Sequence, residues 1–572
     1  MWMERLPRRL QAARGEVAAE LVLTGGRLAN VFTGEWQKTD VALFDGIIIG
    51  LGDYPGPRLD VTGRYILPGF IDGHLHVESS LLTPRELARA LLPLGTTTVV
   101  ADPHEIANVW GAAGLDYLLA SSEGLPVDFF FMLPSCVPAS PLETSGARLE
   151  AGDLQKYRDH PRVLGLAEVM NFPGLVAGDP GLLAKLALFP QGPVDGHAPL
   201  LSGRALNAYR LAGIGSDHEC TALAEAKEKL DLGFYLMLRE GSLAKNLADL
   251  LPAVTPAGLR RTMLVTDDSH PEDLARTGHL NNLLHRAVSL GLDPLAAVTM
   301  ATLNPAEYFR LRDRGAVAPG LAADLVVVED LTEFRIDKVI KNGKLWVNQG
   351  RLLKEPDVAP GPPPASPMHV PDLALEALSP PAAGNMVKVI GLVPHQLLTE
   401  KRLLPTPVRN GRLATAPGQD LLKLAVVERH HGTGNFGLGM VQGFGLPQGA
   451  LASSVAHDSH NLVVVGADES DMLQAVRHLA DLGGGMAVVA GGRVLADLPL
   501  PIAGLISPWP LERVAAAYTR LKQAYHGLGG ALQDPFMALS FLALAVIPAL
   551  KLTDLGLVDV DRFRVVSLFG ED

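Results

Sequence analysis

The sequence predicts an α/β protein whose central domain is a (β/α)8 (TIM) barrel, flanked by a small β-sandwich module and followed by an additional α+β domain. Between residue 71 and about residue 310, eight strand-like apolar runs alternate with helix-like segments, which is the pattern of a barrel. Short apolar runs with glycine-rich turns occur on both sides of that region. A proline-rich stretch then separates it from the rest of the chain.

The expected domain boundaries follow from these changes of pattern. We expect an N-terminal extension, a β-rich module built from two separate segments, the barrel, a semi-rigid linker and a C-terminal domain. The corresponding ranges are 1–20, 21–67 with 315–353, 68–314, 355–383 and 385–572. The extension has four arginines but lacks the apolar run of a signal peptide.

Composition argues against several classes of protein. The net charge of −13 argues against a nucleic-acid partner. Only two cysteines are present, Cys136 and Cys220, which predicts no disulfide framework and a cytoplasmic location. The apolar run 536–550 is too short to span a bilayer and contains Pro548, so it predicts a buried core segment and no membrane partner.

The eight candidate strands set the order of the barrel. They cover residues 71–77, 97–102, 127–133, 163–169, 194–197, 214–217, 234–239 and 262–267. An open doubly wound sheet is the alternative, and the count of eight favours the barrel. The first helix begins at Thr83-Pro84, where threonine is the expected cap and proline the first helical residue.

The first strand ends in His74-Leu75-His76. Side chains alternate along a strand, so His74 and His76 point to the same face and form half of a metal site. Alone, this pair fits a structural role better. Four further strands carry chemically active residues at their carboxyl ends, which is the catalytic face of such barrels. These residues are Glu168, His197, His218, Asp267 and Asp268.

The polar set resembles that of the amidohydrolase superfamily. Within it, several longer motifs are similar to those of the adenine deaminases, and the resemblance extends over nearly the whole chain after residue 20. The motifs are Glu78-Ser79-Ser80, Val99 to Asn108, Glu168 to Asn171, Gly213 to Glu219 and Thr266-Asp267-Asp268.

The resemblance implies hydrolytic deamination of adenine to hypoxanthine and ammonia by a metal-activated hydroxide, as in purine salvage. It also implies two divalent ions, Mn(II) or Fe(II), while imidazole and carboxylate ligands also suit Zn(II). His74, His76 and Asp267 would bind the first ion. His197 and His218 would bind the second, with Glu168 bridging the two. The expected partners are adenine, water and a second copy of the chain in a dimer.

The proton-transfer residue must differ from that of the mononuclear deaminases. Those enzymes have a glutamate three residues after the histidine of the fifth strand, where this chain has Leu200. Asp267 is therefore the first candidate for the base, and Asp268 is its competitor because strand ends are uncertain by one residue. His104 and Glu105 are candidates for contacting the purine or protonating its ring.

Residues that contact the substrate are harder to assign from sequence. Arg239 and Glu240 either orient the purine edge or form a structural ion pair with each other. Met170 and Phe172 are expected to offer apolar surface to the planar substrate. The C-terminal domain has two histidine-rich loops, which contain His430 and His431, and His457, Asp458 and His460. These loops are either polar turns at the surface or they face the barrel mouth. The candidate substrate contacts are Asp102, Met170, Arg239, His457 and His460.

Two alternative functions remain at this stage. A cyclic amidase of the same superfamily would use the same metal site, although the Asp-Pro-His-Glu run at 102–105 and the extra C-terminal domain argue against it. A non-catalytic assembly protein is the other alternative. The complete set of expected ligands argues against that reading.

Overall fold

The computed structural model describes residues 2–242, 244–358, 361–393 and 396–570. A helix at Trp2–Ala13 precedes a module of two sheets that share one apolar core. The smaller sheet has the order Ile47–Leu51, Val41–Phe44, Leu21–Thr24 and Arg58–Asp60. The larger sheet has the order Arg351–Leu352, Lys344–Asn348, Ile336–Lys341, Leu325–Val328, Tyr65–Pro68, Arg27–Asn30 and Glu35–Lys38.

The central domain contains eight parallel strands, as the sequence predicts. Five form one hydrogen-bonded sheet and three form another. They are Phe70–Leu75, Thr96–Ala101, Asp128–Leu133, Val163–Val169 and Val194–Gly196, then Ser216–Asp217, Tyr235–Arg239 and Thr262–Val265. The ring closes because the amide of Asp267 donates to the carbonyl of His74 (3.0 Å), and that of Gly215 donates to Val194 (2.8 Å).

Helices surround this barrel and cover its strands. Thr83 caps the first of them by accepting from the amide of Glu86, as its Thr-Pro start predicts. Their ranges are Pro84–Leu91, His104–Trp110, Ala112–Ser121, Ala151–Leu154, Phe172–Val176, Pro180–Leu186, Gly203–Leu211, Leu223–Asp231, Leu247–Leu250, Pro271–Arg276, Leu280–Ser289, Pro294–Met300 and Leu303–Tyr308.

The C-terminal domain is built on a mixed sheet of eight strands. Their order is Thr399–Pro405, Met386–Leu392, Phe436–Gln442, Leu421–Val427, Leu462–Gly466, Ala450–Ser453, Gly485–Ala490 and Arg493–Pro499. The domain also contains helices Glu469–Leu482, Leu511–Gly527 and Pro535–Ser540, a hairpin at Val408–Arg409 and Arg412–Leu413, and a small sheet of Leu550–Thr553, Gly556–Asp559 and Arg564–Val566. The predicted α+β class is therefore confirmed.

The predicted linker differs from the expectation that little in it packs. Its second half lies on the C-terminal sheet, where Leu378 is buried and Met368 and Val370 contact the same core. The Ser366 hydroxyl also donates to the carbonyl of Gly483 (3.0 Å). The sequence did not predict this packing, because the few apolar residues of the linker are interspersed with prolines. Linker residues 359 and 360 lie outside the described part of the chain.

The run at 536–545 is a buried core segment, as expected, with Phe536, Leu539 and Leu542 inside the protein, whereas Val546 and Pro548 are exposed. Among the helices that the structure describes, none has the length and apolar character needed to cross a membrane.

Arg429 is fully buried and joins the linker to two loops of the C-terminal domain. Its guanidinium donates to the carbonyl oxygens of Pro367 (3.0 Å), Ala503 (2.8 Å) and His460. Burial lowers the pKa of this guanidinium to about 9. The hydrogen bonds compensate part of the cost of burying the charge.

We expect Arg429→Ala to lower the free energy of unfolding by about 3 kcal/mol or more, because three buried carbonyl groups lose their donor. Urea unfolding followed by circular dichroism measures this. The exposed Arg493→Ala variant is the matched control and should change stability by less than about 0.5 kcal/mol. Equal effects of the two substitutions would contradict the proposed role of Arg429.

Candidate metal centre at the barrel mouth

The two histidines of the first strand lie beside Asp267. The Nε2 atoms of His74 and His76 are 3.4 Å and 3.3 Å from Asp267 Oδ1. Their rings are 5.0 Å apart between centroids and nearly perpendicular. All three side chains are buried. The structure thus brings together the three residues expected to bind the first ion.

Glu168 lies between this group and a second pair of histidines. Its Oε2 atom is 2.8 Å from His197 Nδ1 and 3.0 Å from His218 Nε2. Its Oε1 atom is 3.7 Å from His76 Nε2. The His74 and His218 rings stack with centroids 4.1 Å apart. One carboxylate therefore faces both sets of nitrogen atoms, which is the geometry a bridging ligand needs.

The buried atoms of this cluster fit divalent ions. Ligand atoms of His74, His76 and Asp267, and of His74, Glu168 and His218, lie within 4.8 Å of one another. Among the described residues, His74 Nε2 is buried without a hydrogen-bond partner. Leaving such a nitrogen unpaired costs roughly 1–3 kcal/mol, and a bound ion removes that cost. Imidazole and carboxylate donors suit Mn, Fe and Zn.

The charges in the cluster support the same conclusion. Burial alone would lower the pKa of His197, but Glu219 and Glu168 raise it to about 9. Burial alone would raise the pKa of Glu168, but His197 and His218 hold it well below its usual range. The surrounding carboxylates therefore favour protons on His74, His76 and His197. Ions that bind there must displace these protons.

Asp267 and Asp268 have different surroundings. Asp267 has a backbone φ of 58°, a left-handed conformation that aspartate tolerates better than most residues. The interaction with His74 and His76 holds its pKa well below the usual range despite burial. Asp268 instead accepts a hydrogen bond from the Ser79 hydroxyl, and burial together with Asp267 raises its pKa. The structure thus brings Asp267, rather than Asp268, to the histidines.

Arg239 forms structural ion pairs with Glu219 and Asp267, and not with Glu240 as in the alternative left open by the sequence. Its guanidinium contacts both carboxylate oxygens of Glu219, Oδ2 of Asp267 (2.8 Å) and the side chain of Asn246 (3.2 Å). All three guanidinium nitrogens are therefore engaged, which argues against the expected contact with the purine. Glu240 instead pairs with Arg286 (2.9 Å).

Sequence reasoning missed Glu219 as a site residue. Its Oε1 atom is 3.6 Å from both His197 Nδ1 and His218 Nε2, and the three residues form a further group of possible metal ligands. The signal was available, because Glu219 directly follows His218. Glu219 also links the second histidine pair to Asp267 through Arg239.

Asp102 and His104, which follow the second barrel strand, lie next to the expected metal ligands. His104 Nδ1 lies 3.2 Å from Asp102 Oδ2 and 3.4 Å from Glu168 Oε1. Burial opposes protonation of His104, but Asp102 raises its pKa well above the usual value. Glu78, which the sequence placed in a motif but not among the site residues, accepts from the amide of Ile106 (3.0 Å). Burial and the nearby Glu105 raise the Glu78 pKa to about 7.

One C-terminal loop reaches the barrel mouth. His457 Nδ1 lies 3.1 Å from Glu105 Oε1, and the His457 ring stacks on Phe541 with centroids 4.3 Å apart. Burial alone would lower the pKa of His457, but Glu105 and Asp458 raise it to about 10. The C-terminal domain therefore places a positive charge against a buried carboxylate of the barrel.

The other C-terminal histidines form their hydrogen bonds elsewhere, although the His460 ring lies next to that of His457, with centroids 5.7 Å apart. His460 is fully buried and accepts from the amide of Ala456 (3.2 Å), and burial lowers its pKa to about 3. His430 bonds to the carbonyl of Ser459 (2.6 Å). The exposed His431 bonds to the carbonyl of Ser145 in a barrel loop (3.0 Å). Of the two substrate candidates in this domain, the structure thus brings His457 to the mouth.

Met170 and Phe172 are half-buried, and the contacts described for them are with the apolar core. Leu200 is 71% exposed, and its amide donates to Glu225. A leucine that faces solvent therefore occupies the position where mononuclear deaminases have a catalytic glutamate.

We expect Glu168→Gln to reduce the amount of bound metal, because the neutral amide removes the negative charge between the two sets of ligands. Metal content after dialysis, measured by inductively coupled plasma spectrometry, tests this. Glu123→Gln, which changes an exposed carboxylate, is the control. A folded Glu168→Gln protein that keeps both ions and its turnover would show that the bridging assignment is wrong.

Comparison with known proteins agrees with this geometry. The amidohydrolase family matches residues 65–346, and the adenine deaminase C-terminal domain matches residues 396–564. Adenine deaminase of Desulfatibacillum aliphaticivorans is 50% identical over 98% of this chain and 99% of its own length. Adenine deaminase 2 of Carboxydothermus hydrogenoformans is 50% identical over 98% of each chain. Adenine deaminase of Syntrophobacter fumaroxidans is 48% identical over 99% of this chain and 98% of its own. With this identity over nearly its full length, the chain belongs to the adenine deaminase family of the amidohydrolases.

Proposed function

We propose that this chain hydrolyses adenine to hypoxanthine and ammonia at the barrel mouth. The observation that carries the proposal is Glu168, whose two oxygens face two separate groups of histidines in a chain of this family. His74, His76 and Asp267 would hold one divalent ion, and His197 and His218 would hold the other. Divalent ions bound there lower the pKa of coordinated water and so supply a nucleophile near neutral pH.

Asp267 is the proposed base. Its Oδ1 atom faces the ligand nitrogens, and Arg239 holds its Oδ2 atom at 2.8 Å. Oδ1 accepts the proton of the attacking water and passes it to the amino group that leaves as ammonia. Arg239 thus fixes the orientation of the carboxylate. The hydrogen bonds with His74 and His76, together with the charge of Arg239, hold the pKa of Asp267 well below its usual range.

His104 is the proposed acid for the purine ring. Asp102 keeps its imidazole protonated inside a buried site, so it can deliver a proton to a ring nitrogen as the amino-bearing carbon is attacked. The imidazole regains a proton from the added hydroxyl group when ammonia leaves and the carbonyl forms. Glu105 holds His457 beside this group. These assignments account for all charged groups that the second strand brings to the mouth.

The C-terminal domain is proposed to cover the mouth and exclude bulk water. The Ser507 amide donates to the carbonyl of Leu81 (2.9 Å), and the Asn461 side chain donates to the carbonyl of Thr144 (2.8 Å). Together with the His457–Glu105 pair, these contacts fasten the domain to three parts of the barrel. Exclusion of water strengthens each electrostatic contact with the substrate.

Three finer points also belong to the proposal. The ions are Mn(II) or Fe(II), with Zn(II) as the alternative, because the ligand types suit all three. The chain acts in the cytoplasm, where its two buried free thiols, Cys136 and Cys220, stay reduced. It forms a homodimer and binds no nucleic acid, in keeping with its negative charge.

The direct test is ammonia release from a panel of aminopurines and cyclic amides, with the protein reconstituted with Mn(II), Fe(II) or Zn(II). We expect adenine to be the preferred substrate. Preferential hydrolysis of a cyclic amide would instead support the amidase alternative. A fully metal-loaded protein without activity on any of these compounds would overturn the proposal.

We expect Asp267→Asn to lower kcat by about 100-fold or more, since the amide cannot accept the proton. Asp268→Asn should have a much smaller effect, because Asp268 bonds to Ser79 and not to the ligand histidines. Both variants are compared at equal metal content. A larger loss in Asp268→Asn would reverse the two roles.

The His457–Glu105 pair should stabilise the protein in a pH-dependent way. The pKa of His457 is about 10 in the folded chain against an ordinary value of about 6.5. Its contribution is therefore complete below about pH 6.5 and is lost as the pH rises to about 10. The difference in Tm between the wild type and His457→Gln should shrink over that interval.

The exposed His526→Gln variant is the control for this measurement, and its Tm should follow that of the wild type. A Tm difference for His457→Gln that stays constant from pH 6 to pH 10 would show that the pair is not charged.

A further inference from the structure

A cavity lies on the face of the barrel opposite the metal centre. It is formed by the amino ends of the fifth, sixth and seventh strands and by the loops that lead into them, and its volume is about 300 Å³. The charged residues of its lining are Arg210, Arg261, Arg310 and Glu307. These four residues give the cavity a formal charge of +2 in a chain whose net charge is −13.

Two of the arginines are held in the same way. Arg210 donates to the carbonyl oxygens of Leu232 (3.3 Å) and Ile214 (3.1 Å), and its guanidinium lies 5.5 Å from the centroid of the Phe234 ring. Arg261 donates to the carbonyl of Gly233 (2.9 Å) and lies 5.1 Å from the centroid of Tyr235. Each guanidinium has five N–H groups, so both retain donors beyond these bonds.

This arrangement is preorganised for an anion. Backbone carbonyls and aromatic faces fix the two guanidinium groups before any ligand arrives, which reduces the entropy lost on binding. The planar guanidinium matches the oxygens of phosphate and can donate two parallel hydrogen bonds to it. With one carboxylate among three arginines, the positive charge is only partly compensated within the cavity.

We propose that this cavity binds the phosphate group of a small phosphomonoester. A volume of about 300 Å³ is at the lower end of the range for small-molecule pockets, and it leaves room for an organic group beside the phosphate. Tyr235 and Tyr308, which also line the cavity, offer apolar ring surface to that group. The site is separate from the metal centre and takes a ligand of a different charge type from adenine.

The cavity touches the strands that lead to the second metal-binding pair. Val194 lines it three residues before His197, and Gly215 lines it three residues before His218. At about 3.3 Å per residue, roughly 10 Å of strand separates the two faces. Binding must therefore be measured on protein of known and constant metal content.

Isothermal titration of the full-length, metal-loaded protein with ribose 5-phosphate and with inorganic phosphate, at constant ionic strength, tests the proposal. We expect one site per chain and tighter binding of ribose 5-phosphate. Arg210→Gln combined with Arg261→Gln should raise Kd at least about tenfold, because several charge-assisted hydrogen bonds are lost.

Arg260→Gln is the matched control, since this neighbouring arginine is exposed like Arg261 but lies outside the cavity lining. Its Kd should equal that of the wild type. Adenine deamination at the rate of the wild type shows that the double variant is folded. If the double variant does not fold, Arg310→Gln at the exposed rim gives the same comparison. The proposal is overturned if neither compound binds saturably, or if Arg260→Gln weakens binding as much as the cavity variants do.

Discussion

The carboxylate of Glu168 is the contact on which the arrangement of the barrel mouth depends. It is buried, and its two oxygens face imidazoles from the first, fifth and sixth strands. A buried carboxylate is costly unless opposite charges or donors surround it. The fourth strand can therefore carry this residue only when the first, fifth and sixth strands bring their histidines to it. The same requirement makes the cluster suitable for a pair of cations.

Further buried carboxylates position the ligands from below. Asp72 accepts from the amide of His74 (3.2 Å) and from the hydroxyl of Thr266 (2.7 Å), so it joins the first strand to the eighth next to Asp267. Asp217 accepts from the amide of Ala198 (3.0 Å) and pairs with Lys229 (3.2 Å), which fixes the loops after the fifth and sixth strands. Groups of this kind orient ligands and keep their rotamers fixed.

Sequence reasoning predicted what depends on strand order and periodicity. The alternation of side chains places His74 and His76 on one face, and the common edge of parallel strands brings Asp267 to them. It could not predict contacts that depend on the direction of single side chains at strand ends. Arg239 pairs with Glu219 from the sixth strand rather than with its neighbour Glu240, because adjacent residues point to opposite faces.

The C-terminal domain is a second case in which the sequence could not predict the direction of single side chains. The sequence of its histidine-rich loop does not distinguish the roles of His457 and His460. The structure shows that His457 contacts the barrel, whereas His460 is buried inside the domain. Glu105 is buried at the mouth, where Glu78 adds a second carboxylate. Without the charge of His457, Glu105 would be a buried anion that lacks this partner, a state that costs several kcal/mol. Docking of the domain and ionisation of the mouth are therefore coupled, and a substrate site that needs Glu105 charged also needs the domain in place.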